Sequence, residues 1–73
     1  KMVKKFEVQL YNTEVRRIVE TGEHHKRYDD EWADPHFIEI EADDERGARI
    51  RSERRYPRIE GFTIVTVEEI DED

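Results

Sequence analysis

Three short segments of this chain alternate apolar and polar residues, and this alternation limits the folds that the chain can adopt. In KFEVQLYN (residues 5–12), Phe6, Val8 and Leu10 fall on one side of an extended backbone, and the polar residues fall on the other. HFIEIEA (residues 36–42) repeats the pattern, and GFTIVTVEEI (residues 61–70) is rich in β-branched residues. Each segment is therefore predicted to form a strand.

Two helices are predicted between these strands. Asn12 or Thr13 is expected to cap the first helix, which Gly22 ends. Asp43 or Asp44 is expected to cap a second helix whose sheet-facing side consists of small residues, with Ile50 and Tyr56 supplying bulk. The order β-α-β-α-β predicts an α+β fold of split β-α-β type. We expect a three-stranded sheet of order 2-1-3 with both helices on one face.

The length and composition restrict how the chain is held together and where it works. We expect 73 residues to form a single domain, with an acidic tail at residues 71–73 that frays. The absence of cysteine excludes disulfides, thiolate metal sites and cysteine catalysis. No apolar run approaches the roughly 18 residues that span a membrane, and no signal-peptide pattern is present, so a cytoplasmic protein is expected.

The segment GEHHKRYDDEWADPHF (residues 22–37) contains all three histidines and the single tryptophan. His24, His25 and His36, with nearby aspartates, are ligand types that zinc accepts. However, neither H-E-x-x-H nor a calcium-binding D-x-D-x-D-G spacing occurs. A metal-binding loop is therefore a lesser alternative, and we expect no metal site and no cofactor. The favoured interpretation is a structured surface loop whose acids cap turns.

Catalysis is also not expected. The only serine, Ser52, lies in a predicted helix away from the histidines in sequence, and no glycine-rich phosphate loop is present. A chain with three short strands has little room for a pocket of about 300 Å³ or more. We therefore expect a non-enzymatic protein.

A protein partner is the leading expectation, because large aromatic residues occur where the core does not require them. Trp32 is predicted either to fold back over the edge of the core, which is favoured, or to act as a surface anchor. The sheet face opposite the helices is expected to carry Tyr11 and Phe37, with Val65 and Val67, and to be covered by the Trp32 loop or by a second copy in a homodimer. The predicted partner-binding residues are Trp32, Phe37, Tyr11 and His36.

Arginine is concentrated in the second predicted helix and just after it. Six arginines and one acid lie between Arg46 and Arg58, a charge of +5 in a chain of net charge −7. Since these arginines fall all round a helix, we expect most to form ion pairs with acids of this chain or of a neighbouring copy. The alternative is nucleic-acid binding through Arg49, Arg51, Arg54 and Arg55, with Tyr56 available for stacking.

FIEIEADDERGARI, followed by GFTIVTVEE, resembles the strand–acid cap–helix–strand half of small bacterial and mobile-element proteins of the DpnD/PcfM-like kind. The resemblance covers about half of the chain. It implies the split β-α-β fold and carries no activity or site residue with it. The leading hypothesis is thus a small protein-interaction or accessory module, of phage or mobile-element origin by this resemblance. The alternatives are nucleic-acid binding and an acidic mimic of nucleic acid.

Overall fold

The computed structural model describes residues 3–70, which contain one three-stranded sheet. The strands are β1 (Lys4–Asn12), β2 (His36–Ala42) and β3 (Phe62–Glu69). They lie in the order β2-β1-β3, and both outer strands are antiparallel to β1. The predicted α+β sheet of order 2-1-3 is confirmed. The expected fraying of residues 71–73 lies outside the described residues.

Two helices begin at the caps that local sequence predicted. α1 (Thr13–Glu20) begins after Asn12, whose side chain accepts a hydrogen bond of 3.0 Å from the Val15 amide. α2 (Glu45–Arg55) begins after Asp44, whose carboxylate accepts one of 2.8 Å from an amide in the first turn. Each cap satisfies a backbone N–H group that has no partner within its own helix.

The core lies between the sheet and α2. Its buried members come from all three strands and from the small residues of the helix: Phe6, Val8, Leu10, Ile40, Ala42, Ala48 and Phe62. Ala48 and Ser52 are fully buried, so α2 approaches the sheet closely. The prediction that Ile50 supplies apolar bulk toward the sheet is wrong, because this side chain is 43% exposed. Two residues beyond Ala48, it points about 200° around the helix, away from the sheet.

A β-bulge in β3 changes which side chains face the core. Leu10 pairs with Ile64, whereas Val8 pairs with Val67, so two steps along β1 correspond to three along β3. Val65 lies within this irregularity. The prediction that Val67 faces away from the core is wrong: it lies opposite buried Val8 and packs on the core cluster. One extra residue reverses the alternation that follows it.

The long connection between α1 and β2 is tied to the rest of the chain by a 3₁₀ turn, Asp30–Ala33. Ala33 is buried, and its carbonyl accepts a hydrogen bond of 2.8 Å from Arg16 Nε of α1. A second 3₁₀ turn, Arg58–Glu60, joins α2 to β3. Trp32 of the first turn and Tyr56, two residues before the second, pack against the core cluster.

Candidate protein-interaction surfaces

The structure separates the four predicted partner-binding residues into two pairs on opposite sides of the sheet. Trp32 and His36 lie on the core side, with ring centroids 4.5 Å apart. Tyr11 and Phe37 lie on the other side, because their strand neighbours face the core. These four residues therefore do not form one surface.

Trp32 folds back over the edge of the core, as the favoured interpretation predicts. Its ring lies 5.5 Å from that of Tyr56, and it meets the Phe62 ring edge-on at 5.3 Å. Because it packs on the core cluster, the expectation that its loop covers the opposite face is wrong. These aromatic neighbours lie just after α2 and in β3, which no local pattern in the loop indicates.

The sheet face opposite the core is here called the open face. It is formed by alternate residues of the three strands: Lys5, Glu7, Gln9 and Tyr11 of β1, Phe37, Glu39 and Glu41 of β2, and Thr63, Thr66 and Glu68 of β3, with Val65 at the bulge. Phe37 is 60% exposed and Val65 is 49% exposed. Tyr11 is half-buried beneath the guanidinium of Arg16, which lies 3.9 Å from the centre of the Tyr11 ring.

Three carboxylates form a row across the open face. Glu7 of β1 pairs with Glu39 on one side and with Glu68 on the other. Neighbouring strands are about 4.8 Å apart, and like charges placed directly opposite each other destabilise a sheet. Glu68 was missed from the sequence because the unexpected bulge turns it to this face. The open face thus combines an exposed aromatic ring with a line of negative charge.

His24 in the loop and His36 at the start of β2 each have one polar partner. His24 Nδ1 lies 2.9 Å from Asp30 Oδ2, and the hydrogen bond and charge of Asp30 raise the pKa of His24 above its ordinary value. His36 Nε2 donates a hydrogen bond of 2.8 Å to the carbonyl of Glu31. Over residues 3–70, no three histidine or carboxylate side chains converge in a way that could hold a metal ion.

His25 organises the loop through both ring nitrogens. Nδ1 accepts hydrogen bonds from the backbone amides of Arg27 and Tyr28, at 3.0 and 3.3 Å. The remaining nitrogen, Nε2, therefore carries the proton and donates to Glu14 of α1 at 3.1 Å. The neighbouring Tyr28 hydroxyl donates to Glu60, and this bond raises the pKa of Tyr28. These contacts connect the loop to α1 and to the turn before β3.

The six arginines between Arg46 and Arg58, five in α2 and one in the turn that follows, form fewer ion pairs than the sequence predicted. Arg49 lies 3.8 Å from Glu45, and it is the only one of the six arginines with an ion pair inside the described region. Pairing with acids of this chain is thus a wrong prediction for the other five, and pairing with a neighbouring copy stays a prediction. Arg55 has its guanidinium 5.7 Å from the centre of the Tyr56 ring. These five guanidinium groups therefore form no direct ion pair with an acid of residues 3–70.

Three of these arginines line one shallow groove of about 570 Å³, together with three successive residues of β2: Arg51, Arg54 and Arg55, with Glu39, Ile40 and Glu41. Arg49, the fourth residue of the predicted nucleic-acid set, lies elsewhere, beside Tyr56 and Phe62. Residues at spacings of three and four share one side of a helix, which explains the grouping. We refer to this feature as the β2–α2 groove.

No helix among residues 3–70 is long and apolar enough to cross a membrane. No family model, curated protein or solved structure matches the chain. The resemblance to DpnD/PcfM-like proteins accordingly stays a prediction.

Proposed function

We propose that this chain is a non-enzymatic interaction module that binds a protein partner through the open face. The observation that carries the proposal is the 60% exposure of Phe37 on a sheet face that lies opposite the packed core. Aromatic side chains are enriched at the energetic centres of protein interfaces, where they bury a large area. Val65, 49% exposed on β3, extends the apolar part of this surface.

The proposed partner presents basic residues around an apolar centre. Glu7, Glu39 and Glu68 form a continuous row beside Phe37, and Glu41 lies further along β2. A second copy placed face to face would bring the same carboxylates against one another, which opposes association. A basic surface would instead relieve the repulsion within the row. Charge complementarity therefore favours a basic partner over a homodimer at this face.

A non-enzymatic role is supported by how the histidines are used. Both nitrogens of His25 make hydrogen bonds within the chain. His36 bonds the Glu31 carbonyl and stacks on Trp32. His24 is paired with Asp30 in an exposed part of the loop. Each imidazole thus makes hydrogen bonds within the chain that hold the loop in place.

Site-specific photocrosslinking tests the proposal directly. A photoreactive phenylalanine analogue is placed at position 37 in one variant and at position 59 in the other. Ile59 is 90% exposed in the turn before β3, so it controls for exposure alone. We expect a discrete adduct with a basic protein from position 37 only, and loss of that adduct in Glu7→Lys. Adducts of equal yield from both positions, or an adduct only with a second copy, would contradict the proposal.

The binding affinity of the captured partner then identifies the energetic contribution of each group. Phe37→Ser is expected to weaken binding by about tenfold or more, and Glu7→Gln less than that. The affinity should fall as salt concentration rises, because exposed charges contribute. If duplex DNA competes with this chain for the partner, the chain acts as an acidic mimic of nucleic acid.

Direct nucleic-acid binding is the second candidate. Arg51, Arg54 and Arg55 of the β2–α2 groove favour it, because they have no ion pair within residues 3–70. Glu39 and Glu41 line the same groove and repel a phosphate backbone, so we rank it lower. Submicromolar binding of single-stranded DNA or RNA at about 150 mM salt, lost when the three arginines are changed to alanine, would reverse this order.

A further inference from the structure

β2 contributes one wall of the β2–α2 groove. In the order β2-β1-β3, β2 has a neighbouring strand on one side only. Alternate N–H and C=O groups of an edge strand point away from the sheet, and in residues 3–70 no other backbone segment pairs with those of β2. Three successive residues of β2 line the groove, which is the arrangement expected if its free edge is the wall.

Above this edge stand three guanidinium groups. Arg51, Arg54 and Arg55 belong to α2, which packs on the core face of the sheet, and none has an ion pair with a described residue. On the other side of the sheet plane, Glu39 and Glu41 belong to the open face. The free edge of β2 is therefore positively charged on its core side and negatively charged on its open side.

We propose that the β2–α2 groove binds an extended peptide segment that adds to the sheet as a fourth strand beside β2. The backbone of such a segment pairs with the outward-pointing groups of the edge strand. Its side chains alternate between the two faces of the sheet. Those on the core side meet the three arginines, and those on the open side meet Glu39 and Glu41.

The proposal specifies the sequence pattern of the ligand. In the ligand, acidic residues occupy every second position, where a carboxylate can form bidentate hydrogen bonds with a guanidinium group. Basic or apolar residues occupy the positions between them, beside the two glutamates and near Phe37. This edge site does not depend on the open face being a binding surface, because its defining contacts are backbone pairing and arginine side chains.

A matched set of synthetic peptides tests the pattern by fluorescence anisotropy with the whole chain. The test peptide alternates Glu with Lys and Leu over about ten residues, enough to pair with a strand of this length. A peptide of identical composition, with its glutamates in one block, controls for charge. Two further peptides carry N-methyl groups on one or the other set of alternate amides.

Two charge-matched variants of the chain test the groove. Arg51→Gln/Arg54→Gln removes two charges inside the groove, and Arg46→Gln/Arg49→Gln removes two from the same helix outside it. All four positions are exposed, and thermal melts verify that both variants fold. We expect the first variant to weaken binding of the alternating peptide by about tenfold, and the second by less than about twofold.

The proposal is supported if the alternating peptide binds more tightly than the block peptide and only one N-methyl set abolishes binding. It is overturned if the alternating and block peptides bind equally, if both N-methyl peptides bind like the parent, or if no binding occurs at millimolar peptide. Displacement of the peptide by a single-stranded oligonucleotide of higher affinity would also overturn it, since the arginines would then serve a phosphate backbone.

Discussion

Gly61 lies so close to the side chain of Asn12 that a Cβ atom on residue 61 would be 2.5 Å from Asn12 Oδ1. Asn12 is fully buried, and both ends of its amide are used. Oδ1 accepts from the amide of Val15, and Nδ2 donates to the carbonyl of Glu60. One side chain thus joins the start of α1 to the turn before β3, and the space at residue 61 is needed for it.

We predict that Gly61→Ala destabilises the protein more than Gly22→Ala. Both glycines have positive φ, 101° and 84°, but nothing lies within 4 Å of a Cβ placed on Gly22. Gly22→Ala should cost about 1 kcal/mol for the left-handed backbone alone. Gly61→Ala should cost at least about 1 kcal/mol more, because Asn12 must move. Urea unfolding measures both, and equal losses would contradict the close approach.

Alanine substitutions at Trp32 and Phe37 compare a packed aromatic side chain with an exposed one. Trp32 packs against the core cluster, so Trp32→Ala is expected to lower the free energy of unfolding by about 2–4 kcal/mol. Phe37 is 60% exposed, so Phe37→Ala should change it by no more than about 0.5 kcal/mol. Denaturant unfolding of both variants at several protein concentrations checks this. A large, concentration-dependent loss for Phe37→Ala would mean that a second copy covers the open face.

The carboxylate row predicts a substitution that stabilises the fold. Glu7 has a glutamate opposite it on both neighbouring strands, so Glu7→Gln removes two repulsive pairs. We expect a gain of roughly 0.5 kcal/mol in the free energy of unfolding at low salt, decreasing as salt rises. Glu23→Gln makes the same charge change in an exposed part of the loop and should have no such effect. A gain of the same size in both variants would point to net charge instead.

The pairing of His24 with Asp30 is predicted to make a pH-dependent contribution to the stability of the folded protein. Its pKa is raised by the hydrogen bond to Asp30 and by the charge of that carboxylate. Because the pKa of His24 is raised in the folded state, its contribution to the free energy of unfolding is fully present below pH 6.5, the ordinary pKa of histidine. This contribution is lost as the pH rises through the raised pKa of the folded protein. NMR titration of the imidazole should show the His24 pKa returning toward 6.5 in Asp30→Asn. Asp29→Asn is the control, and an equal response there would contradict the assignment to Asp30.

The elements that follow local rules were predictable from the sequence. Strand alternation and helix capping depend on residues a few positions apart, so the shared face of Phe6, Val8 and Leu10 was predicted correctly, and Asn12 was one of the two predicted caps of α1. The strand order followed from the connections, since the β2–α2–β3 unit requires two parallel strands with room for β1 between them.

The faces of β3 did not follow from its sequence. The bulge at Val65 depends on how β3 pairs with β1, more than fifty residues away along the chain. It turns Val67 toward the core and Glu68 toward the open face. An alternating segment contains no local sign of such an irregularity, because either register buries apolar side chains.

The sequence by itself determined the α+β class, the helix starts, the order of the strands and the presence of unbalanced arginine and glutamate. Only the tertiary structure decided that Trp32 packs on Tyr56 and Phe62, that Glu7 lies between Glu39 and Glu68, and that Arg51, Arg54 and Arg55 line the edge of β2. The reason is physical: the direction of a side chain along one element follows from the backbone period. The side chains that it meets follow from pairing and packing between elements distant in sequence.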